Sequence, residues 1–156
     1  MPTRAAFCRL ALAATLLAAL PAAADAQNRR AEIYTGILSA TALGGYDPVA
    51  YFADGRPLQG RRDISYSWKG ATWRFANEKN QAAFIANPQA YAPQYGGYCA
   101  WAVAEGYTAK GDPQHWRIVD GKLYLNYDAR VHANWAKDVP GNVSRGDRNW
   151  PNVLGK

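Results

Sequence analysis

Cysteine is nearly absent from this chain: 156 residues hold two, Cys8 and Cys99. Cys8 lies in an N-terminal leader: Arg4 and Arg9 precede an eleven-residue apolar run, Leu10 to Leu20, and Ala24-Asp25-Ala26 is a small-residue cleavage site before Gln27. Cys99 is then the one thiol of the mature protein, and an intramolecular disulfide is excluded by arithmetic. Long hydrophobic runs are lacking too. Leu10–Leu20 is too short to span a bilayer and no run of about 18 apolar residues follows, so membrane insertion is not expected. Histidine is limited to His115 and His132, with no His or Cys three or four residues from either. There is no Gly-x-Ser-x-Gly, no His-Glu-x-x-His and no phosphate-cradling glycine loop, which leaves hydrolytic chemistry without support. Charge runs are missing as well. Without the leader, 16 basic residues face 11 acidic ones, a balance of +5 spread along the chain; a nucleic-acid partner is not expected. No internal repeat is read.

What is present is organised around Ser65 to Trp101. Residues 64–68 and 71–76 alternate large apolar with small or polar side chains, and Lys69-Gly70 between them predicts a tight hairpin bringing Trp68 near Trp73. Asn77 caps a helix with Phe84 and Ile85 as its buried end; Asn87-Pro88 stops it, and a short helix at 89–91 follows, closed by Pro93. Upstream, Gln27 to Ile33 reads as a loose arm, and Gly44-Gly45-Tyr46-Asp47-Pro48 as a turn into a short strand, Val49 to Phe52. Downstream, Trp116–Val119, Asp120-Gly121 and Lys122–Asn126 form the clearest hairpin, with a type I′ turn. Asp128 caps a helix over 129–137 with Val131 and Trp135 on one face, Pro140 opens a last segment, and Asn149-Trp150-Pro151 ends the ordered part. Two β-hairpins with short helices make a small α+β domain. The 130 residues left after the leader suffice for one compact core.

The order of an aromatic hairpin, a helix with Phe near its end and then Asn-Pro-x-x-Tyr resembles the YHS domain, a small module of heavy-metal-handling proteins. Tyr46-Asp47-Pro48-Val49-Ala50 looks like its Asp-Pro-Val-Cys opening, and Phe75-Ala76-Asn77 like its Phe-Cys-Ser. The resemblance covers about 45–93, within a YHS-like domain at 45–150 that follows the leader (1–26) and an N-terminal arm (27–44). GGYCAWAV and DGKLYLNY look like the extension of a secreted bacterial branch of that family. Ala50, Ala76 and Asn80 stand where metal-binding relatives have cysteine, so a site of several sulfur ligands is not available at the usual place.

Two readings of function follow. The first, implied by the resemblance, is a non-catalytic module of the periplasm or outside the cell that handles a soft metal, copper, with Cys99 as main ligand and His115 or His132 as helper. The second is an interaction module that holds an extracytoplasmic protein or glycan on exposed aromatics, drawn from six Trp and ten Tyr, with Cys99 packed in the core. A thiol-based redox enzyme is a minor third.

Overall fold

A computed structural model describes residues 29–156; the leader and its cleavage site lie outside the described residues. The chain is a small α+β domain with two separate two-stranded antiparallel sheets. A turn of 3-10 helix, Ala42–Gly45, leads into helix α1 (Ala50–Ala53), the hairpin β1 (Arg61–Trp68) and β2 (Ala71–Phe75), helix α2 (Glu78–Ala86) and helix α3 (Pro88–Tyr91). A second 3-10 turn, Gln94–Gly97, then opens helix α4 (Ala100–Ala104), the hairpin β3 (Asp112–Val119) and β4 (Lys122–Asn126), helix α5 (Ala129–Trp135) and helix α6 (Val139–Asn149).

That order is one unit built twice, which overturns the expectation of no repeat. In the first hairpin Ser65 faces Arg74, Tyr66 faces Trp73, Ser67 faces Thr72 and Trp68 faces Ala71, with an irregularity between Ser65 and Arg61, which faces Phe75. Adding 51 to each number gives the pairs of the second, bulge included: Trp116 with Leu125, Arg117 with Tyr124, Ile118 with Leu123, Val119 with Lys122, and Asp112 with Asn126. The turns match in backbone angle. Leu43 and Gly44 have φ/ψ of 53/30 and 59/16; Tyr95 and Gly96 have 54/33 and 62/15. Gly60 and Gly111 are equivalent close approaches: a Cβ on Gly60 would meet the Arg74 carbonyl carbon at 2.6 Å, and one on Gly111 would meet the Cβ of Leu125, the counterpart of Arg74, at 2.8 Å. Both hairpin tips are type I′, with positive φ at Lys69-Gly70 and at Asp120-Gly121. The caps agree too. Asn77 accepts from the Asn80 amide at 2.9 Å, and Asp128 from the Val131 amide at 2.7 Å.

Two hydrophobic clusters replace the single expected core. The first gathers Leu43, Tyr51, Trp73, Phe75 and Phe84; the second gathers Tyr95, Tyr98, Val103, Tyr124 and Trp135. Strand β4 serves both, with Leu123 and Leu125 in the first cluster and Tyr124 in the second, as the alternation of a strand requires. Tyr51 also crosses between the units. Its ring meets Trp116 edge-on at 5.0 Å and its hydroxyl donates to the Pro113 carbonyl at 3.0 Å.

Four further expectations are corrected. Val49–Phe52 is not a strand: the Asp47 carboxylate accepts the Val49 amide at 2.8 Å and starts helix α1 instead. Ile85 is 46% exposed and only Phe84 closes the buried end of α2, because neighbouring helical residues point about 100° apart. The described part of the arm is docked, with Ile33 buried and the Tyr34 amide donating to the Gly96 carbonyl at 2.9 Å. Order also continues past Pro151, where Val153 and Leu154 enter the second cluster. The Trp68 and Trp73 rings do meet, at 5.8 Å.

Candidate functional site

Each unit pins its short first helix to its hairpin at one buried residue. In the first unit this is Asp47, fully buried. One carboxylate oxygen accepts the Val49 amide; the other accepts the Ala76 amide at 2.8 Å and Asn80 Nδ2 at 2.7 Å. A buried carboxylate without such donors would be strongly unfavourable. In the second unit Cys99, 52 residues on, takes the place of Asp47 and is 1% exposed. Backbone N–H groups of Ala102, Tyr127 and Trp101 surround its sulfur, yet burial outweighs them and pushes the thiol pKa up. Such a thiol is protonated at neutral pH and sheltered from solutes, hence a poor nucleophile.

Asn126 completes this joint. Its Oδ1 accepts the Trp101 amide at 3.2 Å and lies 3.8 Å from Cys99 Sγ. That orientation leaves Nδ2 facing His132 Nδ1 at 3.3 Å. Since Nδ2 only donates, Nδ1 accepts and the neutral His132 carries its proton on Nε2. Burial first, then His115 and Arg117, lower the His132 pKa, so the ring is neutral at pH 7. Of the three candidate metal ligands, Cys99 and His132 therefore converge on one asparagine, on opposite sides of its amide. His115, on β3, acts on His132 through charge and shares no hydrogen bond with either. No group of three or more His, Cys, Asp or Glu side chains able to hold a metal ion occurs among the described residues. Nor is any described helix long and apolar enough to cross a membrane.

The aromatics are mostly spent inside. No Trp is exposed; among the described aromatics only Tyr107 and Tyr127 are, and the Lys110 ammonium covers the Tyr127 ring at 5.2 Å. The accessible concave surface lies elsewhere, again in duplicate. Between the tip of each hairpin and the segment after its capped helix runs a cleft. In the first unit Trp68, Lys69, Gln89, Ala92 and Pro93 line it; their counterparts Val119, Asp120, Pro140, Val143 and Ser144 line the second. The first measures about 320 Å³, and Glu32 and Ile33 of the arm line it together with Trp68. The Glu32 carboxylate pairs with Lys69 Nζ at the hairpin tip.

The second cleft measures about 600 Å³ and no segment of the described chain lies in it as the arm lies in the first. Val119 replaces the Trp68 indole, and Asp120 replaces the Lys69 ammonium. Tyr124, Val139, Pro140 and Val143 give it an apolar wall, and Asp147 and Arg148 a polar rim. The rim is braced from behind: the Tyr95 hydroxyl lies 2.9 Å from Asp147 Oδ1, and Arg148 Nη1 donates to Ser144 Oγ at 2.7 Å. Helix α6 itself is anchored by Asn149, whose amide donates to the Val103 and Ala104 carbonyls at the end of α4.

Reading the sequence alone misses Asn126, this cleft and the role of Asp47, although the tripeptide Gly-Gly-Tyr at 44–46 and again at 96–98 carries the signal of the duplication that leads to all three. No family model, curated protein or solved structure matches the chain.

Proposed function

We propose that this protein is a non-catalytic, extracytoplasmic interaction module of two YHS-like units, which holds a polypeptide partner in the cleft of the second. The observation that carries this reading is the contrast between the two clefts: the arm lines the smaller cleft of one unit, and no described segment does so in the larger cleft of the other. A solvent-open cleft with an apolar wall and a few polar groups at its rim is the general form of a binding site. Cys99 in this reading is a structural joint, the counterpart of Asp47.

The copper reading retains one specific support, the convergence of Cys99 and His132 on Asn126. A linear sulfur–nitrogen pair suits Cu(I), but Asn126 stands between the two donors and occupies the Nδ1 lone pair. Copper would therefore have to displace Asn126 from both partners.

One experiment separates the two readings: alkylation of Cys99 in the native protein beside anaerobic titration with Cu(I). The interaction reading expects labelling as slow as unfolding and no stoichiometric metal. Rapid labelling, or one equivalent of Cu(I) whose binding Cys99→Ser abolishes, overturns it in favour of copper handling.

A further inference from the structure

Resting on that reading, we infer that the second cleft takes a segment of a partner protein in which a lysine or arginine directly precedes a branched aliphatic residue. The first unit supplies the template. There the stretch Glu32-Ile33-Tyr34, with a bend at Glu32 and Ile33, runs along the cleft with three separate contacts: the Glu32 carboxylate on Lys69 at the hairpin tip, the Ile33 side chain buried, and the Tyr34 amide on the Gly96 carbonyl. It places one apolar anchor beside one charge that fixes direction, the logic of peptide recognition in general.

The second unit repeats the hairpin tip and reverses the sign at the position that reads the charge; the Gly96 contact is not repeated, because Asp147 and Arg148, 51 and 52 residues on, lie within helix α6. Asp120 occupies the same type I′ turn position as Lys69, with φ of 49 at both. Among the described residues it belongs to no ion pair. The complement of an acidic tip is a basic residue where the arm has Glu32. The apolar anchor has room as well, because Val119 stands in the place of Trp68 and Val143 and Tyr124 wall the remaining space. Lys122 borders both clefts and so does not distinguish them. Occupancy by the chain's own arm is not available while that arm holds the first cleft.

The test uses two blocked synthetic peptides, Ala-Glu-Ile-Tyr-Thr-Gly, which is residues 31–36 of this chain, and the same peptide with lysine for glutamate. Binding to the full mature protein is read from the amide NMR shifts of Asp120, Gly121 and Val143, with Lys69 and Gly70 as the reference for the first cleft. The lysine peptide is expected to shift the second-cleft amides and to bind about fivefold more tightly than the glutamate peptide, the upper worth of one exposed ion pair. Asp120→Lys, which restores the residue the same turn already carries at position 69, is expected to invert the order. Shifts that appear with both peptides and do not respond to Asp120→Lys overturn the charge rule, while the cleft remains a docking site. No shift from either peptide overturns the inference altogether; the interaction reading then stands or falls by the Cys99 labelling.

Discussion

The two units share a backbone and differ in what they do with it. In the first, the joint between helix and hairpin is a carboxylate satisfied by three donors, and the arm lines the cleft, which measures about 320 Å³. In the second, the joint is a thiol beside an asparagine, and the cleft is open. Where a duplicated frame has one copy docked by the chain's own arm, that copy demonstrates what the frame needs for stability. The copy without an arm then isolates what has been released for another use. By that comparison Cys99 falls on the structural side, because its counterpart Asp47 is structural; Asp120, Val119 and Val143 fall on the other.

The largest expected effect tests the joints. Asp47→Ala leaves the Val49 and Ala76 amides and the Asn80 side chain without an acceptor and is expected to lower stability by about 4 kcal/mol, read from urea unfolding. A loss under about 1 kcal/mol would break the assignment of Asp47 as the pin of the first unit. Next comes the arm. Ile33→Ala is expected to cost about 2 to 3 kcal/mol, the truncation of a buried aliphatic side chain; a neutral result would show that the arm is not held by its anchor and remove the contrast. Cys99→Ala follows at about 1 kcal/mol, since a thiol gives up weaker hydrogen bonds than a carboxylate. Equal losses for Cys99→Ala and Asp47→Ala would mean that the sulfur is held for more than packing.

A smaller effect is in pH. His132 has a folded-state pKa below its unfolded one. The unfolded chain therefore binds the proton first, and the stability this neutral ring contributes is present above about pH 6.5 and declines as pH falls below it. His132→Gln should flatten that part of the stability profile while leaving the neutral-pH value little changed; an unaltered acid limb would detach His132 from the joint. Least of all is Lys69→Ala, which breaks an exposed pair with Glu32 and is expected to cost about 0.5 kcal/mol. A loss several times larger would show that the tip charge, more than Ile33, holds the arm.

Much of the frame was legible because its determinants are local. Lys69-Gly70 and Asp120-Gly121 select their turns within two residues, and Asn77 and Asp128 cap helices through their own side chains. Val49–Phe52 was not legible as helix. Four residues are about one helical turn and two strand repeats, and the decision is made by the Asp47 carboxylate outside them. The duplication hid behind its divergence: Asp47 against Cys99, Phe75 against Asn126, Asn80 against Val131. What survives is chiefly backbone angle, visible in sequence only as the repeated Gly-Gly-Tyr. The open cleft was beyond local reading altogether. It stands out because Val119 is smaller than Trp68 and because an arm some sixty residues away in sequence from the Gly96 carbonyl it meets lines the other copy.

Strand β4 has a consequence for how the molecule comes apart. With Leu123 and Leu125 facing one cluster and Tyr124 the other, it is a party wall, and neither room can be emptied without exposing it. Two cores would ordinarily permit two melting steps; a shared wall ties them into one cooperative transition. The slowest-exchanging amides should then be those of residues 123 to 125, neither at the heart of the first unit nor at that of the second.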